Sequence, residues 1–132
     1  MHEKRIEIRA RDLDNLGHVN NAVYLTYLEE ARDEWLARVL GDAELTLAFV
    51  VAHVSIDFRR ELVLDDDLVV VSCLPNELGR SSIRTRERIC TASGDIAAEA
   101  EAVLVARDGS TGGSRPLTDA ERTALERERA HA

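Results

Sequence analysis

The stretch Asn20-Asn21-Ala22-Val23-Tyr24-Leu25-Thr26-Tyr27-Leu28-Glu29-Glu30-Ala31-Arg32-Asp33-Glu34-Trp35-Leu36-Ala37-Arg38-Val39-Leu40-Gly41 decides how the rest of the chain folds. Tyr24, Leu28, Ala31 and Trp35 recur at spacings of four, three and four, which is helical. Leu25, Leu36, Val39 and Leu40 widen the apolar face, so the helix is predicted to be buried on several sides. Asn20 or Asn21 suits its N-cap, and Gly41 its C-terminal stop. Such a helix is about 30 Å long, enough to cross a small sheet.

The flanking sequence supplies that sheet. Before the helix, Ile6, Ile8 and Ala10 alternate with Arg5, Glu7 and Arg9 as in a half-buried strand, and Arg11 to Gly17 forms a polar turn. After it, Leu45 to Phe58 reads as a strand with Ala52, Val54, Ile56 and Phe58 on one side and His53, Ser55 and Asp57 on the other. An acidic turn, Asp65 to Asp67, leads into a strand over Leu68 to Leu74, and Pro75 to Gly79 reads as a turn. Ser81 to Cys90 sets Ile83, Thr85, Glu87 and Ile89 against Arg84, Arg86 and Arg88, a row that suits a solvated face. Ile96 to Arg107 is the last long strand, and its alanines suggest a bulky neighbour lying close. Thr118 with Glu121 is a capping box. The polar helix it opens has only Leu125 and small residues to bury, and is expected to fray. One long helix against one antiparallel sheet is an α+β layout. The Val-rich strands imply that a second subunit covers the other sheet face.

The 132 residues fit one domain, with a core over about 4–108 and a polar tail over about 109–132. A net charge of -8 argues against nucleic acid as the main partner, although a few arginines can still make a local site for one small anion. Cys73 and Cys90 lie in apolar strands without zinc-site spacing, which fits reduced thiols in a cytoplasmic protein. Met1 to Arg9 lacks a signal-peptide core, and the longest apolar run, Leu47 to Ala52, is too short to span a bilayer.

The densest polar cluster is Asp12-Leu13-Asp14-Asn15-Leu16-Gly17-His18-Val19-Asn20-Asn21, between a strand and the start of the long helix. A helix N-terminus offers free N–H groups and partial positive charge, which can stabilise an oxyanion. A carboxylate in the preceding turn can then face a carbonyl that those groups polarise, the geometry acyl transfer needs.

From Arg11 through Asn21 to Arg32 the chain resembles the hotdog-fold acyl-CoA thioesterases, and more narrowly the 4-hydroxybenzoyl-CoA thioesterase-like group. The pattern is an Asp (Asp14), two residues, Gly17, then His18-Val19-Asn20-Asn21, Tyr24, and Glu30-Ala31-Arg32. The Thr the family has between its two Asp residues is Leu13 here. Weaker matches follow in order: Ile56 to Arg60, Asp67 to Val70, Leu78 to Ser82, and Ala98 to Val105.

The resemblance implies a hotdog fold, an antiparallel sheet wrapped around one central helix, and hydrolysis of an acyl-CoA thioester to free acid and CoA. Asp14 takes the family's catalytic carboxylate position, as nucleophile or general base, and the backbone N–H of Asn21 polarises the carbonyl. His18, Asn20, Tyr24, Arg59, Arg80, Ser81 and Ser82 are the implied substrate contacts, with arginines and serines toward the CoA phosphates. Neither metal nor cofactor is implied. An acyl carrier protein is an alternative donor. The implied assembly is a homo-oligomer, a dimer or a homotetramer formed as a dimer of dimers, with the site at the subunit interface. The rival readings are a non-catalytic acyl-CoA-binding hotdog module and a hotdog hydratase or dehydratase. The Asp–His spacings here, four from Asp14 and six from Asp12, do not suit the latter. Glu29 and Glu30 are the fallback carboxylates.

Overall fold

The long helix forms where its caps allow. The Asn20 side chain accepts the Ala22 N–H at 2.9 Å, and the Gly41 N–H bonds the Ala37 carbonyl at 3.0 Å to close the far end. Between them α1 runs over Asn21–Leu40. These features come from a computed structural model that describes residues 1–41 and 48–130. Tyr24, Tyr27, Leu28, Ala31, Arg32, Trp35 and Leu36 form its buried stripe. The burial is narrower than the sequence suggested: Leu25 is 41% exposed, and Val39 and Leu40 are half-buried.

Five antiparallel strands make one sheet in the order β1-β3-β4-β5-β2. They are β1 His2–Glu7, β2 Phe49–Phe58, β3 Leu68–Leu78, β4 Ser82–Thr91 and β5 Ile96–Ala106. This is the α+β architecture expected, with the sheet wrapped on one long helix.

Four details depart from the sequence reading. The first strand ends at Glu7, and Ala10 lies in a short 3-10 turn because Asp12 reaches back to accept the Arg9 N–H at 3.0 Å. The expected start of β2 at Leu45 lies outside the described residues. Within β2 a bulge after Val51 leaves Ala52 unpaired. Val51, opposite the inward Leu104, therefore takes the inner-face place expected of Ala52, while Val54, Ile56 and Phe58 keep theirs. β3 continues through Pro75, where a turn was expected. β1 pairs only as far as Cys73, so Pro75 needs no N–H on that side.

The tail is the fourth difference. It forms a second helix, α2, over Asp119–Ala130, and it docks. Thr118 and Glu121 exchange the two capping-box bonds at 2.8 and 3.1 Å. Leu125 is fully buried, and Glu128 accepts from the Trp35 indole N–H at 3.2 Å and pairs with Arg38.

The core falls into two clusters along α1. One gathers Tyr24, Tyr27, Leu28 and Ala31 with Val69, Val71, Ile89 and Ala98. The other gathers Trp35 and Leu36 with Ile83, Ala102, Leu104, Leu117 and Leu125. Between them in sequence, Arg32 and Glu87 form a buried two-pronged ion pair, Nε to Oε2 at 2.9 Å and Nη2 to Oε1 at 2.7 Å. Thr85 donates to the same carboxylate at 2.6 Å. Burial beside Glu87 pushes the Cys73 thiol well up, so it stays protonated and inert.

The outer sheet face carries the expected charged row. Arg84 and Arg88 approach Glu101 and Glu99 at 3.9 and 3.3 Å. A shallow cavity of about 400 Å³ lies there, lined among others by Ser55, Asp57, Arg86 and Glu101.

The Arg32–Glu87 pair sets a stability test. Arg32→Ala strands a buried carboxylate and should cost about 3–5 kcal/mol in urea unfolding. Replacing both partners together, Arg32→Met with Glu87→Leu, should cost far less.

Candidate functional site

The loop before α1 folds back on itself as a tight hairpin. Leu13 and Val19 form an antiparallel bridge, and the Asp14 N–H donates to the His18 carbonyl at 2.7 Å. Gly17 turns the corner at φ 79°, a left-handed conformation in which a side chain is strained. The Asp14 carboxylate completes the turn, since Oδ1 accepts the Leu16 and His18 N–H groups at 2.8 and 3.2 Å. Asp14 is exposed, and its Oδ2 has no hydrogen-bond partner among the described residues. One oxygen holds the loop and the other is available.

Asp12 does a different job. It is buried, with Oδ2 accepting the Arg9 N–H at 3.0 Å and the Tyr27 hydroxyl at 2.7 Å. Burial alone would raise its carboxyl, but the bonds from Arg9 and Tyr27 together hold it below the usual carboxylate range. Burial, then the bond to Asp12, push the Tyr27 phenol upward. The Asp12 carbonyl accepts the Asn20 N–H at 2.9 Å, which fixes where α1 begins relative to the loop.

At that start, the Ala22 N–H bonds the Asn20 side chain and the Val23 N–H the Asn20 carbonyl, at 2.9 and 2.8 Å. The Asn21 N–H has no partner among the described residues. A free amide at the positive end of a helix can receive a carbonyl oxygen.

The segment after β2 lies alongside. The Val19 N–H bonds the Leu62 carbonyl at 2.8 Å, His18 bridges Val63, and His18 Nε2 stands 3.2 Å from Glu61 Oε2. Tyr24 is buried, donates its hydroxyl to the Arg60 carbonyl at 2.9 Å and packs edge-on against Phe58. Its hydroxyl is therefore committed to main chain. Arg59 is at this end too, with its guanidinium 3.4 Å from Glu99 and 3.7 Å from Asp57.

Arg80, Ser81 and Ser82 are not brought to this end. Phe58 pairs with Ala98 on β5, whereas Ser82 pairs with Val105 on the same strand. That register difference places them about 23 Å apart along β5. The β3–β4 turn is tight: a Cβ on Gly79 would sit 2.5 Å from Ser82 Oγ. α2 and the segment before it brace the turn, for Arg122 Nη2 donates to the Gly79 carbonyl at 2.8 Å and the Leu117 N–H to that of Arg80 at 2.9 Å. Arg80 itself is exposed and has no carboxylate partner among the described residues.

Sequence reasoning missed Glu61, Asp66 and Arg122. Arg60 pairs with both oxygens of Asp66 at 3.2 Å. Each of these contacts depends on tertiary approach, and no spacing in the chain announces it. Among the described residues no three His, Cys, Asp or Glu side chains gather as a metal site requires, and no helix is long and apolar enough to cross a membrane.

Residues 8–126 match the family model of the thioesterase-like superfamily. The chain is 36% identical over 112 residues to the long-chain acyl-CoA thioesterase FadM of Escherichia coli K12, covering 83% of this chain and 85% of that protein. Its fold superposes with a TM-score of 0.89 on a thioesterase from Thermus thermophilus solved with coenzyme A and zinc, at 38% identity over 98% of this chain and 94% of that one. PA2801, a putative thioesterase from Pseudomonas aeruginosa, gives a TM-score of 0.82 at 32% identity, over 94% of this chain and 97% of that one.

The Asp12–Tyr27 bond predicts a pH-dependent stability. Because the folded Asp12 carboxyl is depressed, its stabilisation is present above about pH 4 and is lost as pH falls through the lower folded value. Tyr27→Phe should therefore cost about 1.5–3 kcal/mol at neutral pH. The gap to wild type should shrink in unfolding curves near pH 3.

Proposed function

The chain belongs to the thioesterase-like superfamily and has the hotdog fold, and from that premise we infer that it hydrolyses an acyl-CoA thioester with Asp14 as its reacting carboxylate. One observation carries the reading: among the described residues Asp14 offers an unpartnered Oδ2, in the hairpin leading to a helix whose Asn21 N–H is also unpartnered. The carbonyl oxygen would sit on the Asn21 N–H, so that the negative charge developing on it meets a fixed donor. Acting as base, Asp14 takes a proton from water as the water oxygen bonds the carbonyl carbon. The C–S bond then breaks, and the proton passes to the departing CoA thiolate. Acting as nucleophile, Asp14 Oδ2 displaces the thiolate to form an acyl anhydride, which water hydrolyses. Single turnover in ¹⁸O-water followed by peptide mass analysis identifies the second route where water attacks the Asp14 side of the anhydride, because ¹⁸O then enters the Asp14 carboxylate, and trapping with hydroxylamine to give the Asp14 hydroxamate identifies the anhydride directly.

The site is completed by a second copy. β2 is an edge strand with Val50, Val51 and Phe58 44–48% exposed. Such an edge invites pairing. Two β2 strands joined antiparallel about a two-fold axis place the Phe58 end of one chain beside the Val50 end of the other. That brings Arg80, Ser81 and Ser82 of one copy toward Asp14, His18 and Asn20 of its partner, where the arginine faces the CoA phosphates. The assembly is a dimer on this edge, or a tetramer of two such dimers. The free thiols of Cys73 and Cys90 fit a cytoplasmic protein.

The test is thiol release from short, medium, long and aromatic acyl-CoAs. Asp14→Asn keeps the Oδ1 acceptor of the turn, and should lower kcat at least about 100-fold while acyl-CoA still binds. Binding by wild type without turnover would instead mark an acyl-CoA-binding module, and turnover only of acyl carrier protein esters would change the donor. For the assembly, Val50→Lys should shift sedimentation toward the monomer and reduce turnover with it.

A further inference from the structure

We propose that Glu61 is a positioning residue for this hydrolysis, acting on Asp14 through His18; the proposal rests on the reading of Asp14 above. The segment Arg60 to Val63 forms a strap along the hairpin. It is anchored independently of the hairpin: Arg59 and Arg60 both donate N–H to the Ala97 carbonyl, at 2.8 and 3.1 Å. The Arg60 guanidinium and the Val63 N–H both hold Asp66, at 3.2 and 2.9 Å. From this anchored strap the main chain of Arg60 takes the Tyr24 hydroxyl, Leu62 takes the Val19 N–H, and Val63 bridges His18. Glu61 reaches the hairpin with its side-chain carboxylate, placing Oε2 3.2 Å from His18 Nε2.

His18 is the residue that holds Asp14 on two sides. Its carbonyl accepts the Asp14 N–H at 2.7 Å, and its N–H donates to Asp14 Oδ1 at 3.2 Å. Of the two bonds to Oδ1, that from Leu16 is at 2.8 Å and that from His18 is the longer, so a shift of His18 loosens the hold on Oδ1 directly. The Glu61 side chain is 73% exposed and that of His18 33%. An exposed pair of this kind adds little to global stability. What it does is restrain the ring, and through the ring the main chain that aims the carboxylate.

The experiment compares Glu61→Ala, Glu61→Gln, His18→Ala and the Glu61→Ala/His18→Ala double variant on the best acyl-CoA, with Asp14→Asn in parallel. Glu61→Ala should lower kcat about 3- to 10-fold, the size of a contact within one shared network. KM and the thermal midpoint should stay unchanged. Glu61→Gln, which keeps size and an acceptor, should recover most of the loss. Adding Glu61→Ala to His18→Ala should cause no further loss. An unchanged kcat, a loss in KM alone, or a full loss persisting without His18 overturns the proposal. Amide hydrogen exchange gives a readout independent of turnover: Glu61→Ala should speed exchange at the His18 N–H several-fold and leave Ala22 unchanged. Equal His18 protection in both proteins also overturns it. An active Asp14→Asn, by contrast, overturns the reading of Asp14 and leaves the exchange result to decide on Glu61.

Discussion

The buried pair between Arg32 and Glu87 is the constraint on which the rest of the molecule depends. It joins α1 to β4 and has an apolar cluster on either side of it along the helix. Apolar packing alone tolerates small slides of a helix across a sheet. A two-pronged guanidinium–carboxylate contact has one satisfied geometry. With Arg32 seated, the N-terminal turns of α1 are fixed in the cluster that holds Val69, Ile89 and Ala98, with Tyr24 against Phe58. Tyr27 then meets Asp12, and Asn20 meets the Asp12 carbonyl. The position of the loop therefore follows from an interaction about three turns farther along the helix.

In the proposed site a turn and a reacting group share one side chain. Asp14 in a turn is ordinarily explained by its bonds to the following N–H groups, and those bonds are present. They occupy one oxygen only. The same restraint that makes Asp14 a good turn residue limits its rotation and holds the other oxygen in a defined place. The buried Asp12, two residues earlier, holds the Arg9 N–H and the Tyr27 hydroxyl on Oδ2 and supports the structure instead.

Most of the fold was legible because its signals are local. The helical spacing from Tyr24 to Trp35, the Asn20 cap and the alternation of β4 and β5 all depend on neighbours within a turn or a pleat. What was not legible depends on pairing. The bulge after Val51 is set by register with Leu104 and Val103. Pro75 is tolerated in β3 because β1 stops short of it. The tail read as a polar helix that would fray because its partners, Trp35, Arg38 and the Gly79 carbonyl, lie far away in sequence. The motif placed Asp14 beside the helix start, but nothing in the spacing showed that Arg80 and Ser82 stand at the opposite end of the sheet.

That separation has a genetic consequence. In the two-fold dimer we propose, each site takes its carboxylate from one chain and its β3–β4 turn from the other. A chain damaged at Asp14 and a chain damaged at Arg80 then meet with both lesions in the same site, and the second site of the pair is whole. On that proposal two inactive alleles would complement one another within a single dimer, whereas two alleles that both alter the Asp14 hairpin would not.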